Sequence, residues 1–126
     1  MRNRLLSLLL LSLYGSMLFA QEPLDINDVE RVPLGDFTYQ WRNIYDRTPL
    51  HGKCRIILSY RSYTIAHFNK DGILDGLYEK YEDNHLVQKL TYVKGILRGK
   101  GYEYYTDGTV KKECVWNEQG KIDGLM

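Results

Sequence analysis

The sequence has too few of several residue types to fit whole classes of protein. It contains two cysteines and three prolines in 126 residues, so it is neither a disulfide-rich scaffold nor a proline-rich linker. It has no Gly-x-Ser-x-Gly nucleophile motif and no phosphate-binding glycine loop, and its glycines are spaced for turns instead. We therefore expect no enzyme activity, no catalytic residue and no cofactor.

Metal-ligand spacing is also missing. The three histidines are His51, His67 and His85, and their separations of 16 and 18 residues are far wider than the intervals within a metal-ligand motif. Acidic pairs such as Glu82-Asp83 fall where a hairpin turn is expected, and there they favour turn formation and solubility. We expect no metal site.

The N-terminal segment predicts export. Arg2 and Arg4 precede the mostly apolar run 5–20, which is shorter than the roughly 20 apolar residues that a membrane-spanning helix needs. Ala20 is the small residue typical of a cleavage site. We expect residues 1–20 to be a signal peptide that is cleaved after Ala20, and the protein to be periplasmic or secreted; a retained anchor is the alternative.

The mature chain carries almost no net charge. The full chain has 17 basic and 16 acidic residues, and loss of Arg2 and Arg4 leaves 15 basic against 16 acidic residues. No basic stripe is present, so we expect no nucleic-acid partner, and charge does not indicate membrane association. We expect instead a protein partner that is bound through shape and aromatic contacts.

A repeat with a period of about 24 residues decides the architecture. Four sets of residues recur with this period: Phe68, Tyr92 and Trp116; Cys54, Tyr78 and Tyr102; Ile57, Tyr81 and Tyr105; and Ala66, Leu90 and Cys114. The copies lie near 48–71, 72–95 and 96–119, with a partial copy at 120–126. A second glycine series, Gly72, Gly95 and Gly120, precedes the next copy each time.

Each copy predicts one β-hairpin. The segments between the glycines are rich in Tyr, Val, Ile and Thr, which favour strands. First strands are predicted near 53–58, 77–82 and 101–106, and second strands near 62–69, 86–93 and 110–117. Asp83-Asn84 and Asp107-Gly108 suit tight turns. The predicted fold is an all-β, elongated, single-layer antiparallel meander over residues 37–126.

The flanks of the repeats are predicted separately. Segment 37–42 alternates apolar and polar residues, which indicates an extra strand covering the N-terminal edge of the repeats. Segment 21–36 contains Pro23, Pro33 and five acidic residues, and we expect a flexible acidic lead. The strand at 110–117 would remain an open edge, which invites pairing with another chain.

The sequence pattern of the repeats resembles that of the MORN-repeat variant family of bacterial proteins over roughly residues 48–126. The residues that carry the resemblance are Asp71-Gly72-Ile73-Leu74-Asp75-Gly76 with Tyr78 and Tyr81, and Gly99 with Tyr104-Tyr105-Thr106-Asp107-Gly108. The resemblance implies an extended single-layer sheet with interaction, scaffolding or membrane-associated roles. Some relatives carry an antitoxin-like label, and no catalytic residues belong to the pattern.

We therefore expect an exported, non-enzymatic interaction or scaffold module with a protein partner in the cell envelope. Its predicted contact surface is the aromatic column Phe68, Tyr92 and Trp116, together with the C-terminal edge. One alternative is an antitoxin-like protein of a toxin–antitoxin system, and another is a small secreted carbohydrate binder or enzyme that uses the tyrosines. The simpler interpretation of the tyrosines is that cross-strand pairs stabilise the sheet.

The two cysteines are predicted to stay apart. A simple meander puts Cys54 and Cys114 five strand steps from each other, roughly 24 Å at the usual strand spacing. A disulfide needs Cα atoms closer than about 7 Å. We expect Cys114 to be a small buried apolar residue, and Cys54, which replaces a tyrosine of the repeat, to be partly accessible.

Overall fold

The computed structural model describes residues 22–125 and shows an all-β chain. The predicted signal peptide lies outside the described residues. No helix among the described residues has the length and apolar character that crossing a membrane requires. The chain forms one short 3-10 turn, Ile26–Asp28, and eleven strands: β1 (Leu24–Asp25), β2 (Val29–Gly35), β3 (Thr38–Asn43), β4 (Gly52–Ser59), β5 (Ser62–Phe68), β6 (Leu74–Glu82), β7 (His85–Val93), β8 (Ile96–Leu97), β9 (Gly99–Tyr104), β10 (Val110–Trp116) and β11 (Ile122–Leu125).

The repeats form the predicted antiparallel meander. The main sheet has the order β1-β4-β5-β6-β7-β9-β10-β11, and the short β8 pairs with the end of β7. All six strands that the period predicts are present; β6 begins three residues earlier than predicted, at Leu74. Asp83 and Asn84 have φ angles of 49° and 64°, as a two-residue hairpin turn with both φ positive requires. The meander is therefore confirmed.

The predicted flexible lead is wrong for most of its length. β1 pairs in parallel with the middle of β4, with Leu24 opposite Ile56, and β2 pairs with β3 in a separate two-stranded sheet. Leu24, Ile26 and Val29 pack against the hydrophobic core, and their burial orders the segment. Proline does not prevent this, because Pro33 lies in an edge strand, where a missing N–H is tolerated.

The extra strand exists, but it does not extend the main sheet. β3 pairs with β2 and crosses the ends of the repeat hairpins instead. The N–H of Trp41 donates to the carbonyl oxygen of Gly72 at 2.7 Å, and the Gln40 side chain donates to the carbonyl of Asp71 at 3.0 Å. The edge of β4 is covered in part by β1.

The C-terminal edge also differs from the prediction. β11 pairs antiparallel with β10, with Cys114 opposite Leu125 and Val115 opposite Gly124. The partial fourth copy is therefore long enough to add a strand. Among residues 22–125, the last strand of the sheet at this end is β11 rather than β10.

The hydrophobic core lies at the N-terminal end of the sheet, where β3 packs over it. Its buried members are Trp41, Leu50, Cys54, Ile56, Ala66, Phe68 and Leu74. Among the described apolar residues, Cys114 is the one buried outside this cluster. Cys54 is fully buried, so its predicted accessibility is wrong. β4 and β10 are five strand steps apart, and both cysteines are free thiols.

Candidate interaction surface

The packing of β3 buries one residue of the aromatic column that was predicted as a contact surface and leaves the other two partly exposed. Phe68 is 4% exposed, and its ring lies 5.6 Å from the ring of Trp41. Phe68 is therefore a core residue, and its predicted contact role is wrong. Tyr92 and Trp116 are half-buried, and both keep part of their rings at the surface. The sequence could not show this division, because Trp41 lies outside the repeat.

A groove runs between the β2–β3 hairpin and the main sheet. Its volume is about 470 Å³. Rings and apolar side chains from four strands form much of its lining: Tyr39 and Trp41 from β3, Leu74 from β6, Tyr92 from β7, and Ile96 and Leu97 from β8. Charged residues contribute as well, namely Arg31, Asp36 and Lys121. We call this feature the hairpin groove.

The second glycine series of the repeat shapes this groove. A Cβ atom on Gly72 would lie 2.5 Å from the carbonyl oxygen of Trp41, and one on Gly95 would lie 3.0 Å from a methyl carbon of Thr38. A Cβ on Gly120 would collide with the side chain of Ile96. The glycines are therefore needed for close approach as well as for turning the chain.

Arg31 is the cation nearest to the rings of the groove. Its guanidinium carbon lies 5.4 Å from the centre of the Trp41 ring and 5.8 Å from that of the Tyr39 ring, within the range of cation–π attraction. Burial raises the pKa of Tyr92, and the charge of Arg31 opposes that rise. Among the described ion pairs, none includes Arg31 or Lys121.

The tip of the β2–β3 hairpin exposes a large aromatic side chain in an unfavourable backbone conformation. Asp36 and Phe37 have φ angles of 53° and 63°, and Phe37 is 97% exposed. The left-handed conformation costs a bulky residue roughly 1–2 kcal/mol. Leu34 and Tyr39 are also exposed beside it. This tip could not be predicted from the sequence, because phenylalanine is not a turn-forming residue.

The tyrosines on the opposite face of the sheet cover one another. Tyr63 and Tyr81 stack with ring centres 5.0 Å apart, and Tyr102 and Tyr104 stack at 5.9 Å. The guanidinium of Arg55 lies 4.0 Å above the Tyr63 ring. Ring faces that are already stacked are not free for a sugar, so this geometry favours the interpretation that the tyrosines stabilise the sheet.

None of the three histidines lines the hairpin groove. His67 is on β5, and its Nδ1 atom is 3.0 Å from the carbonyl oxygen of Leu77, while His85 begins β7. No group of three or more His, Cys, Asp or Glu side chains in residues 22–125 is arranged to hold a metal ion. The groove is thus the feature that brings together the most aromatic and charged side chains.

Comparison with known proteins gives no family. No protein-family model matches the chain, and no curated protein matches it. The crystal structure of TarM superposes with a TM-score of 0.42 and 14% identity, covering 78% of this chain and 19% of that one. A point mutant of S. aureus TarM in complex with Fondaparinux, alpha-GlcNAc-glycerol and UDP gives a TM-score of 0.30 and 13% identity, covering 75% and 16%. Likeness this small indicates neither a shared fold nor a shared function.

Proposed function

We propose that the chain is an exported, non-enzymatic interaction module of the bacterial cell envelope that binds a protein partner through the hairpin groove. The observation that carries the proposal is Phe37, which is 97% exposed at the hairpin tip and held in a left-handed conformation. Folding alone gains nothing from such a residue, whereas a partner pocket would bury it. Strained residues of this kind cluster at ligand-binding sites.

The chemistry of the groove suits a protein partner. Aromatic and arginine side chains are enriched at the centres of protein interfaces, and the groove combines Tyr39, Trp41 and Arg31 beside Phe37. A second groove, of about 230 Å³, shares Leu97 with the first and includes Trp116. The two grooves therefore meet at Leu97.

Site-specific photo-crosslinking tests the proposal. A photoreactive phenylalanine analogue is placed at position 37, and in a matched control at position 60. Tyr60 is 94% exposed at the β4–β5 turn, so it offers equal access at the tip of a different hairpin. We expect one discrete protein adduct at position 37 in the envelope fraction and none at position 60.

Two results would contradict the proposal. Equal adducts at positions 37 and 60 would mean that exposure alone explains the capture. Recovery of the full-length chain from the cytosol with Met1 intact would remove the export part and favour the antitoxin-like alternative. N-terminal sequencing of the envelope form is expected to begin at Gln21.

A further inference from the structure

The hairpin groove contains Arg31, whose side chain has no hydrogen bond or ion pair to any of residues 22–125. Three other arginines have polar partners among the described residues. Arg42 pairs with Glu30, Arg61 pairs with Asp83, and Arg98 donates to the carbonyl of Asn117. Arg31 contacts ring faces instead. A guanidinium that packs its face against a ring keeps its edge N–H groups available for an anion.

We infer that the hairpin groove binds a partner segment that carries a carboxylate side chain beside an apolar one, with the carboxylate on Arg31. This inference rests on the proposed function and names the chemistry of its partner. Arg31 would donate to the two carboxylate oxygens, which is the geometry that guanidinium groups favour. The apolar side chain would pack among Trp41, Tyr92 and Leu97.

The charges around the groove support an acidic ligand. Three charged residues line it: Arg31 and Lys121 are positive, and Asp36, at the hairpin tip, is negative. The balance is therefore one positive charge, although the mature chain as a whole carries almost none. The charge of Arg31 also acts on the phenols of both Tyr78 and Tyr92, so its field reaches the groove wall formed by the sheet.

The ring contacts make Arg31 a better anion receptor than a free surface arginine. Tyr39 and Trp41 limit the conformations of its side chain, so less entropy is lost when a ligand binds. A hydrogen bond to a charged group contributes about 1.5–3 kcal/mol, which corresponds to a change in affinity of about tenfold or more.

Three capped peptides of matched shape test the inference. They are Gly-Glu-Phe-Glu-Leu-Gly and its analogues in which glutamine or lysine replaces both glutamates. Binding to residues 21–126 is measured by NMR, following the Arg31 side-chain N–H and the two tryptophan indole N–H signals. We expect the acidic peptide to bind at least about tenfold more tightly than the glutamine peptide, and the lysine peptide to bind least.

Variants assign the preference to Arg31. Arg31→Gln is expected to remove the difference between the acidic and glutamine peptides. Arg61→Gln removes the same charge at the β4–β5 turn, away from the groove, and is expected to keep that difference. Melting temperatures of both variants check that the fold is intact, and the peptide series on the unaltered chain tests the charge preference without any substitution.

Several outcomes would overturn the inference. These are equal binding of the acidic and glutamine peptides, no binding of any peptide at millimolar concentration, and an acidic preference that survives Arg31→Gln. Binding of a glucuronate oligosaccharide without binding of the acidic peptide would assign the groove to an anionic sugar instead. If position 37 still crosslinks a protein in these cases, the interaction module stands and only the acidic chemistry of its partner is wrong.

Discussion

The main-chain N–H of Trp41 donates a hydrogen bond to the carbonyl oxygen of Gly72 at 2.7 Å, so the turn between β5 and β6 supports the N-terminal hairpin directly. The contact joins the segment outside the repeat to a glycine inside it. It also places the Trp41 ring over Phe68 and along the wall of the groove. The core and the proposed binding surface therefore depend on the same backbone contact.

We expect Gly72→Ala to destabilise the protein by more than the positive φ angle of Gly72 alone explains. Gly72 has a φ angle of 77° and no room for a Cβ against Trp41, whereas Gly108 has a φ angle of 91° and nothing within 4 Å. Gly108→Ala should cost about 1 kcal/mol through its left-handed conformation alone. Gly72→Ala should lose clearly more free energy of unfolding in urea, and Trp41 fluorescence should change. Equal losses would show that the close approach carries no weight.

Substitution of Phe37 should change stability and binding in opposite directions. Asparagine tolerates the left-handed conformation far better than phenylalanine does, so Phe37→Asn is expected to raise the free energy of unfolding by up to about 1 kcal/mol. The same change should abolish co-purification of the partner that crosslinking at position 37 identifies. Tyr60→Asn serves as the control, because Tyr60 is as exposed but has no positive φ; it should alter neither quantity. A Phe37→Asn protein that is less stable would contradict this account.

The two thiols are expected to be unreactive in the folded protein. Cys54 is 0% and Cys114 7% exposed, and burial raises the pKa of the Cys54 thiol, which keeps it in the less reactive protonated form. Ellman's reagent should therefore label Cys54 only after denaturation, and Cys114, which lies outside the core cluster on β10, only as fast as the C-terminal strands open locally. An intramolecular link between them in non-reducing peptide maps would require the sheet to fold back on itself.

Alkaline pH should destabilise the protein through its tyrosines. Burial raises the pKa of Tyr78 and of Tyr92 above the ordinary value of 10.0. The native state then holds these protons at pH values where the unfolded chain has lost them, so the free energy of unfolding falls as the pH rises above about 10. The urea midpoint should drop between pH 9 and 11, and less steeply in Tyr92→Phe. A flat profile over this range would count against the burial of these phenols.

The repeat could be predicted from the sequence because each strand pairs mainly with its neighbours along the chain. The 24-residue period placed the strands, and Asp83-Asn84 fixed a turn whose φ angles suit those residues. Local chemistry was sufficient for these features. The five-step separation of Cys54 and Cys114 then followed from strand counting alone.

The candidate site could not be predicted, because it depends on contacts between distant segments. The strands β1 and β2 were not predicted, because their segment contains prolines and many acidic residues. This segment is ordered by the burial of Leu24, Ile26 and Val29. The same packing buries Cys54 and Phe68. Of the three residues of the predicted aromatic column, Tyr92 alone lines the hairpin groove. Tyr92 and Phe68 are both aromatic and occupy equivalent positions of the 24-residue repeat, so the sequence does not distinguish their roles.

The uneven distribution of the core has a consequence for motion. The seven residues of the core cluster lie between β3 and β6, whereas β9, β10 and β11 are connected mainly by backbone pairing. Amide hydrogen exchange should therefore be slowest in β4 and β5 and fastest at the C-terminal end, where local opening needs little apolar exposure. Lys121 and Gly120, on one wall of the groove, belong to that end, and Trp41, on the other wall, belongs to the core. We therefore expect the groove to widen for a bulky segment while the rest of the sheet stays folded.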